Sequence, residues 1–219
     1  MAQEFATAVT KFLVESGANA KTTGIIIGTL FPRYAKENYK LPRQNIENFI
    51  QESATGVEIN DLPILDLGCG RRNYRNLFSQ ILDIPEKEIA YVAIDHFIGS
   101  DDMYKKSGPN VVGSVSKIPL SSESVGVVVC TEVLEHVADD GEVLKEIARV
   151  LRQNGKLILT VPGKYIPKHD KLPYQVDYHR YTEVGLSQKL TDAGFSNIMI
   201  SDRCFNDLQI NIFANAVKT

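Results

Sequence analysis

From Leu62 onward, short apolar runs alternate with segments whose apolar positions recur at helical spacing. The runs at 63–67, 90–95, 110–114, 125–131, 156–162, 196–202 and 209–217 predict strands. The segments at about 73–82, 140–152 and 183–193 predict helices. In the helix over 140–152, Val143, Leu144, Ile147, Val150 and Leu151 mark one apolar face, and Gly155 follows as a stop signal. For the last helix, Thr182 is the expected N-cap and Gly194 the expected C′ residue. Such alternation implies parallel strands joined by right-handed helical crossovers, hence an α/β sandwich of helix, sheet and helix. Only a short connection, at about 203–208, separates the last two strands, so they pair as an antiparallel hairpin at one sheet edge.

Residues 1–58 follow a different pattern. Phe5, Val9, Phe12 and Leu13, and later Ile46, Phe49 and Ile50, fall at helical spacing and predict two to four short helices. The chain therefore divides into a helical N-terminal extension, 1–58, and a main domain, 59–219. The extension either packs on the main domain or lids its pocket. Its pattern also loosely resembles a small winged-helix module of the LOTUS type.

Composition narrows the class. The 219 residues are 43% hydrophobic and 23% charged, ordinary for a water-soluble globular chain of one principal domain. A net charge of −3 gives no basic field to draw in nucleic acid or anionic lipid. Cys69, Cys130 and Cys204 are odd in number and far apart, which points to reduced thiols and a cytoplasmic setting. No stretch reaches the length of a membrane span, and no signal-peptide pattern opens the chain.

The chemistry begins at Ile64-Leu65-Asp66-Leu67-Gly68-Cys69-Gly70, a buried strand that stops in a glycine turn. A second apolar run, Ala90-Tyr91-Val92-Ala93-Ile94, closes on Asp95. Glycines let a backbone approach a ligand, and a carboxylate at the next strand end can accept two ribose hydroxyls, so the pair forms a nucleoside-binding half-site. A nicotinamide fingerprint would need a third glycine, where this chain has Asn73.

Three further stretches carry a resemblance: Gly113-Ser114-Val115-Ser116-Lys117-Ile118-Pro119-Leu120, Cys130-Thr131-Glu132-Val133-Leu134-Glu135-His136-Val137, and the run from Glu146 to Pro162. Together with the glycine turn they resemble a class I S-adenosylmethionine-dependent methyltransferase over about residues 62–217. The resemblance implies a Rossmann-like three-layer sandwich whose seven-stranded, mostly parallel sheet has its last strand antiparallel. It also implies S-adenosylmethionine as cofactor, and it carries roles onto matching positions. Asp66, Gly68, Cys69 and Gly70 would meet the methionine part. Asp95 would hold the ribose, with His96 beside the adenine. Ser114 stands where many relatives carry Asp, so a backbone contact from Val115 is the safer expectation. Cys130 and Thr131 close the fourth strand at the ligand edge, and Gly126 stands where relatives usually carry Asp.

Four residues are candidates for work on the acceptor. His136 can take a proton, because imidazole titrates near neutral pH, or it can orient the loop beside the cofactor. Tyr178, His179 and Arg180 lie in the long segment from Pro162 to Tyr181, which also holds Lys164, Tyr165, His169, Asp170, Tyr174 and Asp177. Loops at this edge commonly set acceptor specificity. His169 and His179 lack a third and fourth ligand nearby, so no metal site is expected. The Asn73-Tyr74-Arg75 and Arg180-Tyr181-Thr182 runs are similar to methyltransferases of surface-polysaccharide and other glycan biosynthesis. The expected function is methyl transfer to a small-molecule or glycan acceptor, on oxygen, by a monomer or homodimer. Two alternatives stay open. One is a nucleic-acid methyltransferase that binds through residues 1–58, where Lys36, Lys40 and Arg43 lie, although no Asn/Asp-Pro-Pro-Tyr type motif follows the fourth strand. The other is a regulatory protein that binds the cofactor without catalysis.

Overall fold

In the computed structural model the described residues are 8–9, 11–13, 15–17, 43–55, 62–70, 74–96, 106, 108–163, 176–205 and 208–219, by backbone alone at 202–205 and 208–210. Helix α1 (Arg43–Ala54) precedes strand β1 (Ile64–Leu67). Then come α2 (Arg75–Leu82), β2 (Tyr91–Asp95), β3 (Val111–Val112), β4 (Val125–Thr131), α3 (Asp140–Val150), β5 (Leu151–Pro162), α4 (Glu183–Asp192), β6 (Phe195–Phe205) and β7 (Leu208–Lys218). Single 3-10 turns stand at Glu86–Glu88 and Leu134–His136.

The strands form one seven-stranded sheet in the order β3-β2-β1-β4-β5-β7-β6. The pairs β1–β2, β1–β4, β2–β3 and β4–β5 are parallel, and β7 runs antiparallel to both β5 and β6. This is the seven-stranded, mostly parallel sheet with an antiparallel last strand. The terminal hairpin sits at the sheet edge as expected, with β7 placed inside β6.

Both faces of the sheet are covered, because successive side chains on a strand point to opposite faces. Leu65, Leu67, Val128, Cys130, Leu157 and Leu159 share one core with Val143, Leu144 and Ile147 of α3 and Leu186 and Leu190 of α4. Ile64, Tyr91, Ala93, Val127, Val129, Ile158 and Phe213 share the other with Phe78 of α2 and Ile46, Phe49 and Ile50 of α1. Phe49 meets Phe213 edge-on, with ring centroids 4.9 Å apart. Lys156 Nζ donates to the Ser53 carbonyl at 2.5 Å. The last helix of the 1–58 segment therefore lies on the sheet itself. The Phe5-containing periodic segment and the Lys/Tyr-rich stretch before Pro42 fall mostly outside the described residues.

Local signals set most boundaries. Asp139 caps α3 by accepting from the Glu142 amide at 3.0 Å, and Thr182 caps α4 by accepting from Gly185 N at 3.1 Å. Gly194 follows α4 with φ +89. Two boundaries differ from expectation. Helix α3 ends at Val150, and β5 begins at Leu151, five residues before the predicted strand. Leu151 already pairs with Val125, and the ladder then shifts register before Val127 meets Lys156. Asn154 takes φ +58 inside this irregularity. Gly155 is thus no helix stop. A Cβ there would lie 2.8 Å from the Arg152 carbonyl and 2.9 Å from Leu151 Cδ2, so glycine is required for close packing within the bulged strand. The third strand shrinks from 110–114 to Val111–Val112, and Ser114 makes a separate bridge with Lys117.

Candidate functional site

Strands β1, β2 and β4 deliver their carboxyl ends to one edge, with Leu67 level with Ile94 on one side and Cys130 on the other. Ligands of open α/β sheets bind at such an edge. The glycine turn starts there. Gly68 N and Cys69 N both donate to the Ile94 carbonyl, at 2.8 and 3.1 Å. Gly68 has φ +72, and a Cβ on it would fall 2.4 Å from Val133 Cγ2 in the loop after β4. Gly70 has φ +56 and open space where a Cβ would stand. Its amide donates to Asp95 Oδ2 at 2.8 Å, and His96 Nδ1 lies 3.0 Å from Asp95 Oδ1. Asp95 and the turn are therefore locked together, although 25 residues separate Asp95 from Gly70. His96 is largely exposed beside them.

Asp66 faces inward. Its Oδ2 accepts from Tyr91 Oη at 2.7 Å and from Tyr74 N at 3.0 Å. Burial pushes its carboxyl up to about 6, against the lowering effect of those two donors. Tyr74 extends the network, with its hydroxyl 3.0 Å from Thr131 Oγ1 and the Arg43 guanidinium 4.5 Å above its ring. Burial pushes the Tyr74 hydroxyl up to about 12. Cys69 is buried in one core and Cys130 in the other, both as free thiols pushed up by burial. Any ligand contact from Cys130 would pass through its backbone. Ser114 is exposed, and its hydroxyl accepts from Ser116 N at 3.2 Å; Val115 packs partly against the core.

The segment 176–181 crosses the loop after β4. Tyr178 N and His179 N both reach the Glu135 carbonyl, at 2.7 and 3.4 Å. His179 Nε2 lies 3.1 Å from the Ala138 carbonyl, and Tyr181 Oη donates to Asp140 Oδ2 at 3.0 Å. The structure so brings His136, Tyr178, His179 and Arg180 into one cluster. Tyr178 is 47% exposed, which leaves one face of it to solvent. His169 and the residues from Lys164 to Tyr174 lie outside the described residues, as do Arg71, Arg72 and Asn73.

Under this cluster sit three carboxylates that the sequence reading did not single out for a role. Glu132 (φ +54) follows β4, and its Oε1 accepts from Thr160 Oγ1 and Asn211 Nδ2, both at 2.8 Å. Burial pushes Glu132 up. Burial and then the nearby Glu132 push Glu135 well up. Asp177 lies with Oδ2 at 2.5 Å from Arg180 Nη2 and Oδ1 at 2.9 Å from His136 Nδ1. The signal available in sequence was spacing: two glutamates three apart at a strand end, and an Asp three residues before an Arg. Among the described residues no group of three or more His, Cys, Asp or Glu is arranged to hold a metal ion. A separate cavity of about 290 Å³, lined by Phe49, Ser53, Lys156 and Asn215 among others, lies by the start of β5, away from this edge.

Comparison with known proteins agrees with a nucleoside-binding edge of this kind. The family described as "Methyltransferase domain" matches residues 65–159. Residues 65–159 thus resemble a methyltransferase domain. The cofactor is S-adenosylmethionine. An uncharacterized methyltransferase of Schizosaccharomyces pombe is 32% identical over 160 residues, covering 71% of this chain and 59% of that protein. The chain thus spans about three-fifths of that relative's length. Among solved structures, an S-adenosylmethionine-dependent methyltransferase from Mesorhizobium loti superposes with a TM-score of 0.57 at 16% identity, over 79% of this chain and 98% of that one. Phosphoethanolamine N-methyltransferase 2 of Haemonchus contortus, in complex with S-adenosyl-L-methionine, gives 0.58 at 13% identity, over 80% and 52%. At such identities the two structures establish the fold alone. The edge described above has room for the cofactor: a Cβ on Gly70 would meet open space, and the Gly70 amide ties Asp95 beside it.

Proposed function

We propose that this chain transfers the methyl group of S-adenosylmethionine to a hydroxyl of a small-molecule or glycan acceptor. The observation that carries this reading is the docking of 176–181 on the loop after β4. It gathers a half-exposed tyrosine and two imidazoles at the edge that bears the glycine turn. A ring to lie against and polar groups around it suit a polar acceptor such as a sugar.

The cofactor supplies a sulfonium whose methyl carbon is already electrophilic, so the protein has mainly to position and to move one proton. On this reading Asp95 holds the ribose, and the backbone at Gly70 allows close approach. His136 Nε2 would take the proton that the acceptor hydroxyl gives up. That side chain is 31% exposed, enough for an acceptor to reach it. Tyr178 and Arg180 line the acceptor side, and His179 fixes the segment to Ala138. Helix α1 and the rest of residues 1–58 act as an extension of this domain, with Arg43 on Tyr74 as their link to the site. Two buried free thiols agree with a cytoplasmic setting. No described helix is long and apolar enough to cross a membrane.

Calorimetric titration with S-adenosylmethionine and S-adenosylhomocysteine, with NAD as control, is the first test. Micromolar binding of the two sulfur ligands alone is expected, followed by transfer of labelled methyl to a nucleotide sugar or a related hydroxyl compound. Failure to bind either ligand would overturn the reading.

A further inference from the structure

The cavity of about 290 Å³ by the start of β5 lies between the end of α1 and strands β5, β7 and β6. We propose that it is a second ligand site, one that takes a small monocarboxylate with an apolar body. It stands apart from the glycine-turn edge. Lys156, near the start of β5, and Pro162, at its carboxyl end, are separated by roughly 20 Å of extended strand.

Strand alternation puts Lys156 on the face of the sheet that α1 covers, with Ile158 and Phe213. Donors from three elements meet there. Lys156 Nζ of β5 gives one hydrogen bond to the Ser53 carbonyl of α1 at 2.5 Å. Asn215 Nδ2 of β7 reaches Ser53 Oγ at 3.5 Å, and that hydroxyl keeps its own hydrogen to give. Among the described residues the Ser53 carbonyl is the one hydrogen-bond partner of Lys156, and no carboxylate pairs with the ammonium. An ammonium carries three N–H groups, so two remain. Burial pushes Lys156 below the ordinary lysine value, because an ammonium held from water without a counter-charge is disfavoured. Capping the last turn of α1 accounts for one bond of this lysine. It does not account for the Asn215 amide and the Ser53 hydroxyl gathered around the same space.

The remaining walls define the ligand. Phe49, Met199 and Ile200 supply apolar surface, and Met199 of the edge strand is 62% exposed, so the cavity opens toward β6. One cation and two neutral donors match a single carboxylate. Glu52 stands exposed at the rim and repels a second negative charge, which disfavours a dianion such as phosphate. The volume falls just below the usual range for small-molecule pockets, which suits a short alkyl chain or a small ring.

The test uses the nitrogen-labelled full-length protein with hexanoate, and hexanamide as its uncharged counterpart. Hexanoate is expected to shift the amide resonances of Phe49, Ser53 and Asn215 to saturation and to raise the thermal midpoint. Hexanamide should bind about tenfold or more weakly, and inorganic phosphate should leave those resonances in place. Lys156→Met is expected to lose the preference for hexanoate over hexanamide, while S-adenosylmethionine affinity by calorimetry stays that of the wild type. Should Lys156→Met fail to fold, Lys156→Gln keeps a donor for the Ser53 carbonyl and removes the charge, and the same loss is expected there. Equal binding of hexanoate and hexanamide by the wild type, shifts confined to the Gly70 and Asp95 edge, or full hexanoate affinity in a folded variant overturns the proposal.

Discussion

At the scale of single residues, two buried aspartates at the same sheet edge have different partners. Asp66 is buried, and its raised carboxyl means that folding favours the protonated form. That contribution is present below the ordinary carboxylate range near 3.8 and is lost as pH rises through about 6. The full effect is about 3 kcal/mol, of which about 2 falls between about pH 4.5 and 7.5. Denaturant unfolding should therefore show Asp66→Asn gaining about 2 kcal/mol relative to wild type across that window; a constant difference would mean that Asp66 does not titrate there. Asp95 instead keeps its carboxylate at the edge, tied to Gly70 N. Each charge-assisted bond to a ribose hydroxyl contributes roughly 1.5–3 kcal/mol. Asp95→Ala should weaken S-adenosylmethionine binding by about a hundredfold or more in calorimetry, with an unchanged circular dichroism spectrum. The glycine turn and Asp95 were legible because strand, turn and terminal carboxylate follow one another in sequence. The inward turn of Asp66 was not, since its partner Tyr91 is 25 residues away and only strand pairing brings the two together. The ion pair of Asp177 with His136 was hidden for the same reason, since His136 lies far upstream.

At the scale of elements, the helices α3 and α4 were readable from period and caps, and Thr182 and Gly194 do what local chemistry asks of them. The junction of α3 with β5 was not. An apolar Val150-Leu151 pair suits either a helix end or a strand start. The choice falls to Val125, which pairs with Leu151, and to the space beside Gly155. Adding a methyl group there drives atoms into the Arg152 carbonyl and the Leu151 side chain. Gly155→Ala is expected to cost about 1–3 kcal/mol in thermal or denaturant unfolding. A neutral result would show that the bulge can relax around a Cβ.

For the molecule as a whole, α1 and α2 close one side of the sheet and α3 and α4 the other. The N-terminal segment thus contributes core as well as surface. Phe49 is 5% exposed against Phe213, and Phe49→Ala should lower stability by about 3–5 kcal/mol. A loss below about 1 kcal/mol would separate α1 from the folding unit. The strand order has a further consequence for how this chain comes into being. β6 is made before β7 yet has no place in the sheet until β7 arrives, because β7 stands between it and β5. During synthesis the far side of β5 is an open edge, able to pair with any stray strand. A growing chain stalled before Leu208 should be the species that chaperones hold and that self-associates, and release of the last strand is the event that ends its vulnerability.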